Sequence, residues 1–101
     1  MRVHLVMTVL VMLCAVLFNL TAAEKAIVIS LCAIVISLEL INTAIENTVD
    51  ISTGVFNMYA KRAKDISAGA VLVISIGAAI AGLIIFIPYG IELLTYILEV
   101  L

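Results

Sequence analysis

Long uncharged runs alternate with short polar interruptions along this chain. No Asp, Glu, Lys or Arg occurs between Val3 and Ala23. Glu24 and Lys25 interrupt, and a second uncharged run extends from Ala26 to Leu38. It leads without Gly or Pro into Glu39, Asn42, Glu46 and Asp50. A third uncharged run covers Ile66 to Ile91, with Pro88 near its far end. A helix of about 20 apolar residues crosses the roughly 30 Å hydrocarbon core of a bilayer. The pattern predicts an all-α integral membrane protein, with transmembrane helices at about 3–22, 25–50 and 63–87 in one membrane domain over 1–101. After Pro88, Ile91, Leu94, Ile97, Leu98 and Leu101 recur at helical spacing. They fit a short helix on the outer surface at 91–101, or a frayed extension of the third helix.

Composition agrees with the pattern. Hydrophobic residues make up 66% of the 101 positions and charged residues 12%, against about half and a quarter in soluble domains. A soluble fold this small cannot hide so much apolar surface, which excludes a soluble enzyme. Five Lys/Arg stand against seven Asp/Glu with no basic stripe, which excludes a nucleic-acid partner. Cys14 and Cys32 lie deep in different helices, with no metal-ligand spacing or disulfide framework around them. Basic residues in short loops stay cytoplasmic. Lys61, Arg62 and Lys64 therefore place the N terminus and the 51–64 loop inside, and the first connection and C terminus outside. Arg2 and Thr21-Ala22-Ala23 resemble a cleavable leader. However, the apolar run exceeds the usual 7–15 residues of such a leader, which argues for a retained helix.

The second helix holds the candidate chemistry. At about 100° per residue, Glu39, Asn42, Glu46 and Asp50 fall within an arc of roughly 80°. Counted from Ala26 at about 1.5 Å per residue, Glu39 lies about 20 Å into the bilayer and Glu46 about 30 Å. The stripe climbs from inside the membrane to its cytoplasmic face, where it meets Lys61–Asp65. Ionisable groups within a membrane are costly and usually functional. An intramembrane carboxylate can take a proton from a lipid hydroxyl. Carboxylates near the surface can hold Mg²⁺, and Lys64 can neutralise phosphate. The same residues also fit a polar stripe gluing helices together or a proton relay. No Walker-type or protein-kinase glycine loop is present among the five glycines.

One resemblance bears on that choice. Glu39-x-x-Asn42-Thr43-Ala44-Ile45-Glu46-x-x-x-Asp50, followed by Ala60-Lys61-x-Ala63-Lys64-Asp65-Ile66-x-Ala68-Gly69-Ala70-Val71, resembles the prokaryotic diacylglycerol kinase family. It is most like the Gram-positive undecaprenol kinase branch. The likeness covers the chain from Arg2 to about Pro88. It implies a three-helix membrane protein forming homotrimers, which transfers the ATP γ-phosphate to a lipid alcohol with Mg²⁺, in a site shared between subunits. Residue by residue, it implies Glu39 as general base and Glu46 as a Mg²⁺–ATP ligand. It further implies Asn42 and Asp50 as supporting polar residues, and Lys64 and Asp65 as the nucleotide-binding pair. The readings left beside a lipid kinase acting on undecaprenol or diacylglycerol are a small proton-coupled transporter or channel subunit, and a noncatalytic remnant of the family.

Two departures from the family pattern stand out. The family has an amphipathic surface helix and a Glu-containing, metal-binding stretch ahead of the position of Arg2-Val3-His4, and the sequence from Met1 does not include them. The expectation is either a start recorded too late or a shortened form of weak or absent activity. The loop Val55-Phe56-Asn57 lacks the acidic and His residues frequent there, which bears on adenine or ribose contacts. His4 matches a family position, and its expected place is an interfacial side chain. Ala68, Ser75, Ala79 and Gly82 share one face of the third helix and suit close helix packing. Tyr89 and Tyr96 suit anchoring at the outer interface.

Overall fold

The computed structural model describes residues 2–52 and 54–101; Thr53, in the expected 51–64 connection, lies outside them. The described residues form three helices: α1 (Arg2–Leu17), α2 (Ala22–Ser52) and α3 (Met58–Val100). The molecule measures 64 × 21 × 19 Å. α2 packs against α1 on one side and, antiparallel, against α3 along most of its length.

The boundaries differ from expectation for local chemical reasons. α1 ends at Leu17, well before position 22, because Asn19 takes the left-handed conformation at φ 56°. Asn is among the few residues that adopt it at low cost. The amide of Leu20 donates to the carbonyl of Ala15, and that of Asn19 to Val16, both at 3.4 Å. This is a Schellman closure. Its apolar partners Ala15 and Leu20 are both buried, Leu20 to 3% exposure. α2 then starts three residues earlier than expected. The Thr21 hydroxyl accepts from the Glu24 amide at 3.2 Å, and Glu24 Oε1 accepts from the Thr21 amide at 3.0 Å. Such a capping box satisfies donors that every helix start leaves open.

α3 is longer than expected at both ends. Asn57 caps it, with Oδ1 accepting from the amides of Tyr59 (2.8 Å) and Ala60 (3.2 Å). At the far end the helix continues through Pro88 to Val100. The 91–101 segment is therefore part of one helix, not a separate surface helix. A proline removes one backbone bond and crowds the preceding turn. In membrane helices that is tolerated when neighbours re-satisfy the freed groups. Here the adjoining Phe86 and Tyr89 are held in an aromatic cluster with Phe18, at centroid separations of 6.2 and 6.1 Å.

Little of this apolar chain is buried within itself. Among the described residues the buried apolar side chains are Ala15, Leu20, Val28, Val35, Val71 and Ile85. α2 and α3 are long and apolar enough to cross a membrane, and only 11% of each apolar window is buried, unlike a soluble core helix. α1 has 16 residues, about 24 Å of helix, short of the span expected there. Cys14 and Cys32 are free thiols.

Candidate functional site: a polar ladder between the helices

The stripe on α2 faces partners on α1 and α3, rung by rung. At the innermost rung His4 Nδ1 of α1 lies 2.7 Å from Glu39 Oε1, with both side chains mostly covered. The contact has the distance of an ion pair without the alignment of a hydrogen bond. The other ring nitrogen, Nε2, lies 3.3 Å from Ser75 Oγ of α3. One turn nearer the α2–α3 loop, Asn42 Nδ2 donates to Glu46 Oε1 at 3.2 Å, and Ser67 Oγ donates to Asn42 Oδ1 at 2.6 Å. Ser67 is the one buried polar residue among those described. A buried polar group left unmatched costs about 1–3 kcal/mol, so this chain of bonds stabilises Glu46 in place. At the outermost rung Lys64 Nζ meets Asp50 Oδ1 at 2.8 Å.

Residues in helical register explain the ladder. Glu39, Asn42, Glu46 and Asp50 recur every three or four positions and so share a face. On the antiparallel α3, Ser75, Ser67 and Lys64 pass that face in reverse order. Three hydroxyls in the second half of α2 fold onto their own helix: Thr43 donates to the Glu39 carbonyl at 3.1 Å, and Thr48 to Ala44 and Ser52 to Thr48, both at 2.7 Å. Such back-bonding lets a hydroxyl sit on an apolar face with its donor satisfied. These residues are structural.

The ladder opens at the loop into a cavity of about 290 Å³, lined by Asp50, Phe56, Asn57, Lys61, Lys64 and Asp65 among others. Lys64 and Asp65, expected to act as a pair, both line it but bind different partners. Asp65 Oδ2 pairs with Lys61 Nζ at 3.0 Å on its own helix. Lys61, read from the sequence mainly as an orientation signal, is thus a cavity residue. Arg62 instead stacks over Tyr59, 5.9 Å from the ring centroid.

A second, larger space of about 690 Å³ separates α1 from α3. It is lined mostly by apolar and small groups, with His4 and Ser75 at one end and Phe86 at the other. Ser75, Ala79 and Gly82, expected to pack against a helix, line this groove in the single chain. Tyr89, expected as an interface anchor, donates its hydroxyl to Glu24.

Glu39, Glu46, Asn42, Asp50 and Lys64 are thus strung along one seam, with Asp65 at its mouth. Glu39 stands about 10 Å along the helix axis from Glu46. Sequence reasoning undervalued His4 and missed Ser67. The signal for Ser67 was its place one turn after Lys64 on the same face. Among the described residues no three His, Cys, Asp or Glu side chains gather to cage a metal. Mg²⁺ accompanying a nucleotide uses one or two carboxylates plus phosphates, and Glu46 with Asp50 one turn on is a donor set of that kind.

Comparison with known proteins identifies the seam's lineage. The chain is 46% identical over 78 residues to an undecaprenol kinase of Bacillus subtilis (strain 168), covering 77% of this chain and 63% of the relative. It is 40% identical over 88 residues to a diacylglycerol kinase of Synechocystis sp. (strain ATCC 27184 / PCC 6803 / Kazusa), covering 86% of this chain and 50% of the relative. The chain spans between half and two thirds of the length of these curated relatives. No solved structure matches it significantly. The pattern of the prokaryotic diacylglycerol kinase family matches residues 1–86, the stretch that contains every rung of the ladder, and the chain is a membrane protein belonging to that family.

Proposed function

We propose that this chain is the protomer of an ATP-dependent lipid kinase whose acceptor is a membrane lipid alcohol, undecaprenol first and diacylglycerol second. The observation that carries the reading is the continuity of the polar ladder. It joins Glu39, set among apolar helices, to a loop cavity lined by Lys61 and Lys64. A lipid hydroxyl arrives from the bilayer and a nucleotide from water, so a kinase for such a substrate needs a seam linking the two. A proton-coupled transporter has no use for the lysine-lined cavity.

In this reading Glu39 accepts the hydroxyl proton as the alcohol oxygen bonds to the γ-phosphorus, and ADP leaves with the bridging oxygen. Phosphoryl transfer is catalysed mainly by positioning and electrostatics. Lys64, turning from Asp50, neutralises phosphate charge, with Asp65 beside it in the nucleotide site. Asn42, held by Ser67, orients Glu46. Glu46, supported by Asp50, would hold Mg²⁺, which supplies charge neutralisation on the phosphates when bound. The basic cluster Lys61, Arg62 and Lys64 supports an orientation with the 51–64 loop on the cytoplasmic side.

A homotrimer is part of the proposal. A side chain added at Gly69, Gly77 or Gly82 of α3 would meet nothing within 4 Å in this chain. Glycine inside a helix is unfavourable by about 0.5–1 kcal/mol relative to Ala, and close approach of another helix gives those positions a use.

The test is transfer of labelled phosphate from ATP in membranes containing the full-length protein, with undecaprenol and diacylglycerol as acceptors. Mg²⁺-dependent labelling of one of them is expected. No labelling of either lipid would overturn the kinase reading.

A further inference from the structure

His4 joins all three helices at one point: it stands on α1, faces Glu39 of α2 through Nδ1 at 2.7 Å, and meets Ser75 of α3 through Nε2 at 3.3 Å. We infer that His4, steadied by Ser75, is a positioning residue that orients the Glu39 carboxylate toward the lipid hydroxyl. The inference rests on the reading of Glu39 as the base.

The ring has a polar neighbour at each nitrogen, and the backbone of the residue is held too. Its backbone carbonyl accepts from Thr8 Oγ1 at 2.7 Å, so the turn of α1 that carries it is tied locally. A neutral imidazole has one donor and one acceptor nitrogen. The partners differ at the two nitrogens: Nδ1 faces a carboxylate, which can only accept when ionised, and Nε2 faces a serine hydroxyl, which can donate. A carboxylate with an imidazole nitrogen 2.7 Å from Oε1 is limited in rotation about its last bond, which restricts where the second oxygen points. Glu is a long side chain with several rotamers to lose. A partner that holds one rotamer before substrate arrives raises the share of productive encounters, and misplacement by about 1 Å commonly costs on the order of 100-fold in rate. Apart from His4 and Thr8, the α1 side chains from Val3 to Leu17 are apolar or cysteine. A histidine there is costly in a membrane setting and needs a use.

A simple three-helix pin would also place His4 here, and kinetics separate the two roles. The variants are made in the full-length protein in membranes, with whichever of the two lipid alcohols it phosphorylates. His4→Leu should lower kcat by about 10–100-fold, as loss of orienting partners does elsewhere, with KM for ATP within about twofold. His4→Asn, whose amide N–H reaches nearly the place of Nδ1–H, should recover most of kcat. On a Glu39→Gln background His4→Leu should cost nothing further, because the group it orients is gone. Unchanged kcat in His4→Leu overturns the inference. So do equal losses in the Leu and Asn variants, or an additive loss on Glu39→Gln. Should His4→Leu fail to assemble, Ser75→Ala removes the steadying contact without bulk and should lower kcat a few-fold; no change there overturns the inference as well. Glu39→Gln alone tells the two levels apart. If it keeps full turnover, the reading of Glu39 as base fails. If it is inactive while His4→Leu keeps its full kcat, only the role of His4 fails.

Discussion

The two ends of the α2–α3 pair are built on different principles. At the turn between α1 and α2, the chain is closed by backbone. A Schellman closure on Asn19 runs straight into the Thr21–Glu24 capping box, and Phe18, Phe86 and Tyr89 cluster beside them. At the α2–α3 loop, long charged side chains dominate: Lys64 on Asp50 and Lys61 on Asp65, the second pair about two-thirds exposed. Exposed ion pairs add little to stability, about 0–1 kcal/mol, and their partners exchange readily. One end therefore sets helix register, and the other presents charges that a phosphate can recruit. On the proposed reading, stability belongs to the turn and ligand capture to the loop, with Glu39 between them.

That division is testable in order of expected effect. Glu39→Gln keeps the shape of the seam and removes the proposed base, so turnover should fall by about 10²–10⁴-fold with the crosslinking pattern of the proposed oligomer unchanged. Loss of turnover and oligomer together would mean that the carboxylate holds the assembly. At the loop end, Lys64→Met should raise KM for ATP by about tenfold or more and lower kcat, since a charge-assisted phosphate contact is lost. Lys61→Met should act in the same direction but more weakly, because its pair with Asp65 lies farther from α2. Thermal melting should barely move for either. A melting change as large as the kinetic one would erase the contrast between the ends. At the turn end the signs reverse: Thr21→Ala should cost about 1 kcal/mol of stability, as loss of an N-cap does, while KM for ATP stays constant. A shift in KM from that distance would show that the turn is coupled to the nucleotide site.

The ladder was largely legible in the sequence, because a polar residue every three or four positions in an apolar helix has one geometric meaning. Glu39, Asn42, Glu46 and Asp50 stand on a common face as their spacing requires. Cross-helix partners were harder. Ser67 and Ser75 are small and common in membrane helices, so nothing in their type marks them; only the antiparallel register of α3 brings them to Asn42 and His4. Helix ends were misread where the determinant was local chemistry. Thr21-Ala22-Ala23 resembles a cleavage site in the sequence, while Thr21 with Glu24 three residues on also spells the capping box that the structure forms. The third helix is expected to end at 87, with 91–101 as a surface helix or a frayed extension; the extension is what forms, because the proline's lost amide bond is tolerated within a helix of 43 residues.

The α1–α2 turn also bears on the order of assembly. Its backbone closures and capping box run between Cys14 and Lys25, so loop-closure entropy is low and the register of the first hairpin is set without α3. The contact of Tyr89 with Glu24 joins residues 65 positions apart, and the pairing of Ser75 with His4 joins residues 71 apart. Contacts between residues so distant in sequence form slowly. The rungs nearer the loop join residues closer in sequence, Lys64 with Asp50 at 14 positions and Ser67 with Asn42 at 25, so the ladder's contacts lengthen in sequence from its mouth inward. The innermost rung of the ladder, which needs all three helices, is the last to close.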